Sequence, residues 1–169
     1  LDTVITRCSN NYGAYQFPEK LIPLAITNLL TGKPVPIYGD GLQVRDWLHV
    51  TDHCRALGMV LHHGRPGGLY CIGGRAECTN LEMTGYLLDM LCFDRSWIKR
   101  VPDRPGHDRR YAIDAHHAYL ELGWEPLLSL DDGLALTVSW YQANRAWWEP
   151  LLTGAVEPVR AAQNQASRV

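Results

Sequence analysis

Three stretches of this sequence carry side chains able to do chemistry, and each suits a polar or anionic ligand. The first is Cys8-Ser9-Asn10-Asn11-Tyr12-Gly13, directly after the apolar run Val4–Cys8. Groups that follow a strand emerge at its carboxyl end, where open α/β sheets bind ligands. Two adjacent amides offer both donors and acceptors to an amide, a sugar hydroxyl or a phosphate. The same residue types also make Asx turns that bond their own backbone, and spacing does not separate the two readings. The second is Arg45 in Gln43-Val44-Arg45-Asp46-Trp47. An arginine inside a strand points at something negative. Asp46 or Asp52 would make it a salt bridge, whereas a phosphate would use the planar fork of the guanidinium. The third is Asp103-Arg104-Pro105-Gly106-His107-Asp108-Arg109-Arg110, which gathers three arginines and a histidine into one loop. Pro105 fixes one φ and Gly106 permits close backbone approach, so donors can be held around an anion. Asp103 and Asp108 neutralise part of that charge.

Other chemistries lack their residues. Gly39-x-Gly41-x-x-Val44 misses the third glycine of a dinucleotide fingerprint. No tyrosine is followed four positions later by lysine; Tyr141 is followed by Arg145. There is no G-x-S-x-G nucleophile elbow. His62-His63 and His116-His117 are adjacent pairs, which point apart on a helix, so no metal site is expected. Trp140, Trp147 and Trp148 lack interleaved basic residues and read as packing rather than a base-stacking platform.

The elements that must position these groups alternate in type. Strands are expected over Val4–Cys8, Val35–Tyr38, Val44–Val50, Leu69–Ile72 and Trp97–Val101. Between them, Pro18 and Gly32 should bound a helix through Leu21–Leu30, with Pro23 disturbing its early turns. Thr51 should cap a helix from Asp52 to about His63, and Thr79-x-x-Glu82 has the capping-box pattern. Asp114 and Gly123 bracket a short helix, and Ser129-x-x-Asp132 opens a long one to about Trp148. Alternation predicts an α/β arrangement with parallel strands. Connections are short, so 1–152 reads as one unit, while 153–169, rich in Ala, Gln and Ser, is expected to fray.

The chain has 169 residues, 46% of them hydrophobic, which disfavours global disorder. The net charge of −2 argues against a nucleic-acid binder. No apolar run is long enough to span a bilayer, so a cytoplasmic protein with no membrane partner is expected. Five cysteines without C-x-x-C spacing point to reduced, mostly buried thiols. Residue 1 is Leu and a strand follows at once, which reads as a chain whose amino-terminal part lies elsewhere.

The ordered series Cys8–Gly13, Phe17-Pro18-Glu19-Lys20-Leu21-Ile22-Pro23, Pro36-Ile37-Tyr38-Gly39, Arg45-Asp46-Trp47-Leu48 and Asp103–Asp114 resembles the dTDP-glucose 4,6-dehydratases. These are lyases of the extended short-chain dehydrogenase/reductase family that act in deoxysugar biosynthesis. The resemblance runs from about Val4 to Leu152, and the Asp103–Asp114 stretch is its most specific part. It implies the last Rossmann-side strand plus the smaller α/β substrate-binding domain, an incomplete fold. Its carry-over gives Asn10 to the sugar nucleotide and Asn11 to the nicotinamide side of NAD. Lys20 and Leu21 would line the diphosphate and sugar, and Pro36, Ile37 and Tyr38 the thymine and deoxyribose. Arg45 would meet a diphosphate oxygen, and Asn80 would lie near the nucleotide. Asp103, Arg104, Pro105, Gly106 and His107 would close over deoxyribose and diphosphate.

The family's acid, base, Tyr-Lys pair and glycine-rich NAD turn have no match here. The resemblance therefore implies no catalytic residue in this chain, little activity alone, and a homodimer interface largely missing. Cys71 stands where the family has Asn, and Arg75–Asn80 departs from its pattern. A stand-alone nucleotide-sugar binding module and a UDP-sugar decarboxylase or epimerase remain the competing readings.

Overall fold

The computed structural model describes residues 1–153; the expectation for the tail falls almost wholly outside them. The chain opens with β1 (Ile5–Cys8) and, after Ser9, β2 (Asn10–Tyr12). Next come α1 (Leu21–Leu30), β3 (Val35–Tyr38), β4 (Val44–His49), α2 (Val50–His63) and β5 (Leu69–Ile72). Then follow β6 (Glu77–Thr79), α3 (Asn80–Met90), a short 3-10 turn at Arg95–Trp97, and β7 (Ile98–Val101). β8 (Arg110–Tyr111), α4 (His116–Leu122), α5 (Leu130–Ala143) and α6 (Arg145–Leu152) complete it. The mixed α/β class is as the sequence predicts, and no described helix is long and apolar enough to cross a membrane.

Strands sort into three groups. β1 pairs with β5 in parallel, with Cys8 opposite Ile72. β4 is central to a second sheet, flanked by β2 in parallel and β6 in antiparallel, with β8 beside its first residues. β3 and β7 form a third, parallel pair, with Tyr38 opposite Val101.

Two cores hold these groups. In α1, Ile22, Ala25, Ile26 and Leu29 recur at the spacing of one helical face and are buried. They pack with Met83, Leu87 and Leu88 of α3 and Leu134, Val138 and Tyr141 of α5. The smaller core joins Tyr70 and Ile72 of β5 to Ala56 and Val60 of α2, Ala118 of α4, and Trp124. Between them the buried Asp46 carboxylate accepts from the backbone N–H groups of Gly74 (2.8 Å) and Ala76 (2.9 Å). Gly74 is required there: a Cβ on it would lie 1.7 Å from the Trp47 carbonyl oxygen.

Several local expectations are corrected. Pro18 precedes α1, whose N-cap is Lys20, so Pro23 is the third helical residue. The amides of a helix's first turn have no intrahelical acceptor, and Pro23 therefore breaks nothing. The α2 helix begins two residues earlier than Thr51 implies, because the His49 side chain accepts from the Thr51 N–H and serves as the cap. The Asn10–Asn11 pair lies in a strand, not a turn, and the short strands β6 and β8 carry too few residues for a periodic signal. The final helix breaks at Asn144 into α5 and α6. Its tryptophans do pack: Trp148 is buried and donates to the Tyr141 carbonyl at 2.7 Å. All five cysteines are free, but only Cys78 is buried, and Cys54 and Cys92 are exposed. The Thr79–Glu82 capping box and the left-handed Gly123 stop behave as expected.

Candidate functional site

A cleft of about 520 Å³ opens where β2, β3, β4 and the start of α1 converge. The parallel pair β3–β7 explains its location. Both strands end on the same side, so Tyr38 and the loop that follows Val101 meet there. Eleven of the fourteen residues singled out from the sequence line it: Asn10, Asn11, Lys20, Leu21, Pro36, Ile37, Tyr38, Arg45, Asn80, Arg104 and His107. Asp103, Pro105 and Gly106 do not; they form the turn that carries Arg104 and His107.

Two guanidinium groups line the cleft, those of Arg45 and Arg104. Among the described residues Arg45 donates only to backbone carbonyls, those of Val44 (2.7 Å) and Asp108 (3.0 Å). The salt bridge left open by the sequence is not formed. Alternation along β4 turns Asp46 to the other face, where it holds Gly74 and Ala76, and Asp52 accepts from the N–H groups of Leu127 and Leu128. Burial lowers the pKa of Arg45, and the nearby Arg104 charge adds to that effect while Asp108 opposes it. Arg104 itself lies over the Tyr38 ring at 5.3 Å. Among the described residues no carboxylate forms an ion pair with either arginine.

The other two arginines of the loop do not reach the cleft. Arg109 makes a two-pronged pair with Asp40 (3.0 and 2.8 Å), and Arg110 a second with Glu77 (2.8 and 2.7 Å). Each arginine holds its carboxyl below the ordinary pKa. These pairs staple the loop to the β3–β4 turn and to β6. His107, its side chain 5% exposed, is tied to Asp103 through Nδ1 at 2.7 Å.

Asn10 and Asn11 divide the work of β2. The Asn11 amide is spent internally: Nδ2 donates to the Ser9 carbonyl (3.0 Å) and the Cys8 Sγ (3.2 Å), and Oδ1 meets His53 Nδ1 at 2.9 Å. This is partly the backbone-bonding arrangement left open above. Because the Ser9 carbonyl can only accept, the Asn11 amide orientation is fixed, and His53 Nδ1 must be the protonated nitrogen. Asn10 makes no side-chain hydrogen bond among the described residues and faces the cleft with both its groups free. Lys20 pairs with Glu19 at 2.9 Å on the rim.

Sequence reasoning missed Gln16, Glu19, Ile22, Leu24 and Trp47, which also line the cleft. Trp47 was legible, since it follows Arg45 by two residues on a strand and so shares its face. Gln16 was not, because only the fold of the Gly13–Lys20 loop brings it in; its Nε2 donates to the Asn11 carbonyl at 2.8 Å. Burial pushes the phenols of Tyr12 and Tyr141 above their ordinary range, and lifts the Cys78 thiol to about 11. Among the described residues no cluster of His, Cys, Asp and Glu could hold a metal.

A family model described as GDP-mannose 4,6 dehydratase matches residues 1–137. A dTDP-glucose 4,6-dehydratase of Streptomyces antibioticus is 56% identical over 151 residues, covering 89% of this chain and 45% of that protein. The chain thus spans about half the length of the curated relatives it matches. The crystal structure of a dTDP-glucose 4,6-dehydratase from Streptomyces venezuelae, with NAD and a second ligand bound, superposes with a TM-score of 0.88 at 58% identity. It covers 89% of this chain and 47% of that one. A UDP-glucose 4-epimerase from Thermotoga maritima, solved with UDP-glucose, matches at 30% identity and a TM-score of 0.81, covering 86% and 47%. This chain belongs to the GDP-mannose 4,6 dehydratase family, and within it resembles the dTDP-glucose 4,6-dehydratases.

Proposed function

We propose that this chain is the sugar-nucleotide-binding portion of a dTDP-glucose 4,6-dehydratase. That enzyme converts dTDP-glucose to dTDP-4-dehydro-6-deoxy-glucose and water, with NAD taking and returning the hydride. The observation that carries the reading is the pair Arg45 and Arg104, two guanidinium groups lining one cleft, neither of them in an ion pair with a carboxylate among the described residues. Two like charges held together in a partly buried site are unfavourable unless an anion arrives, and a diphosphate satisfies both guanidinium forks. Pro36 and Tyr38 alternate with the buried Val35 and Ile37 along β3, and so offer a flat surface to the thymine and deoxyribose. Asn10 supplies the free amide toward the sugar. Asn80, at the first position of α3, lies on the cleft wall and completes the nucleotide end.

The chain's residues fit NAD only along one edge. Asn11 lies on the cleft wall, but its side chain is already committed, and the sequence carries no glycine-rich turn for a second diphosphate. Oxidation, elimination and proton transfer would fall to groups this sequence does not contain, so the role of its residues is to bind and orient. Energy gathered on the nucleotide holds the reacting sugar at a distance from it. The chain alone is expected to be inactive as a dehydratase. The epimerase relative shares the fold, so the fold does not separate the two activities; the Asp103–Asp114 sequence favours the dehydratase.

Calorimetric titration with dTDP tests the reading. The chain should bind it, and Arg45→Ala should weaken binding by about tenfold or more, as expected for a lost charge-assisted hydrogen bond. Equal affinity in both proteins would refute the assignment of Arg45, and no heat in either would refute the site.

A further inference from the structure

Asp103 presents a contradiction that the cleft by itself does not resolve. A carboxylate is the wrong charge for a residue closing over a diphosphate, and it does not line the cleft. Both of its oxygens are nonetheless occupied. Oδ1 accepts from His107 Nδ1 (2.7 Å) and from the Arg104 backbone N–H (2.8 Å), and Oδ2 accepts from Gln43 Nε2 (3.1 Å). Gln43 is only 2% exposed and is fixed at the entry to β4, so it anchors the carboxylate from the rigid side. Gly39 makes room for this arrangement. Its φ is +56°, and a Cβ there would lie 2.8 Å from Asp103 Oδ2.

We propose that Asp103 is a positioning residue that acts through His107. Gln43 holds Asp103, and Asp103 holds the imidazole with its Nδ1–H turned away from the ligand, leaving Nε2 of the neutral ring as an acceptor for a hydroxyl of the bound nucleotide. A carboxylate can only accept, so Nδ1 must carry a proton. A free histidine has no such constraint, and its ring can also rotate. The same carboxylate sets the backbone of Arg104, so one side chain fixes both loop groups that reach the cleft. The identity of the ligand rests on the function proposed above; the tautomer of His107 does not.

Two measurements on the 169-residue chain test this, and they fail separately. The first needs no ligand. With nitrogen-15-labelled histidine, and His107 assigned by comparison with His107→Gln, long-range nitrogen–proton spectra report which ring nitrogen is protonated near pH 8. The expected result is Nδ1–H in the parent chain and a shift toward Nε2–H in Asp103→Ala. Asp103→Asn keeps one carbonyl acceptor and should retain the parent pattern. An unchanged tautomer in Asp103→Ala overturns the proposal, and backbone amide spectra confirm that each variant remains folded. The second is a double-mutant cycle read by dTDP affinity. Asp103→Ala should weaken binding by about tenfold and should have almost no further effect in a His107→Gln background. Additive losses would mean that Asp103 meets the ligand directly. If the parent chain does not bind dTDP, the proposed function fails, and the tautomer still decides the role of Asp103.

Discussion

At the residue scale, the cleft separates side chains that are free from side chains that are committed, and that distinction assigns their roles. Arg45, Arg104 and Asn10 have capacity to spare; Asn11, Asp103, Arg109 and Arg110 have spent theirs on the chain itself. The sequence named nearly all of these residues but could not sort them. Arg104, Arg109 and Arg110 are the same residue type in the same loop, and only the positions of Asp40 and Glu77 show which one stays available. The Asn11 network gives a test. His53→Ala leaves Asn11 Oδ1 without its donor in a half-buried place. The expected loss is about 1–3 kcal/mol of stability, read from urea unfolding. His53→Asn places an amide donor near the position of Nδ1 and should recover much of it. Equal losses in both variants would show that packing, not the hydrogen bond, is what His53 provides.

At the element scale, the strongly periodic segments were legible and the short or capped ones were not. The α1 face, the β3 and β5 strands and the capping box of α3 follow from spacing and residue type. β6 and β8 have three and two residues, below the length at which alternation carries information. α2 starts earlier than its residue types imply because a histidine, His49, takes the capping role expected of Thr51. That cap has a consequence. His49 accepts through Nδ1 and so must be unprotonated there. Burial lowers its pKa below 6.5, as it does that of His53, while the Asp52 charge partly offsets the shift at His49. The unfolded chain therefore takes up protons near pH 6.5 before the folded one does. The histidine contribution to stability is complete above that pH and is lost as pH falls through the folded values. Carboxylates held low by arginines, such as Asp40 and Glu77, act in the same direction but nearer pH 4. Urea midpoints measured from pH 8 to pH 5 should decline below pH 6.5. His49→Asn retains a cap acceptor without a titrating ring and should flatten that decline. A slope identical to the parent's would contradict the account.

At the scale of the whole molecule, the cleft is walled by β2, β3 and β4, and the β1–β5 pair leaves apolar surface uncovered. β1 is paired only on its β5 side among the described residues, and Ile5 and Leu69 are 59% and 42% exposed on the face away from α2 and α4. Leu57 and Leu61 of α2 are exposed as well, the latter at 80%. An unpaired strand edge beside exposed apolar side chains is a template for self-association. Concentration-dependent oligomers are therefore expected in sedimentation, and Ile5→Lys should reduce them. A monomer at all concentrations would show that the edge is protected. The nucleotide cleft lies in the other sheets, so the same substitution should leave dTDP affinity unchanged. The central claim is that Arg45 and Arg104 hold a diphosphate. A crystal structure of the chain with dTDP tests it most directly. The account predicts phosphate oxygens within about 3 Å of both guanidinium groups, with the base against Pro36 and Tyr38. Density for the nucleotide anywhere else, with both arginines left to solvent, would contradict it.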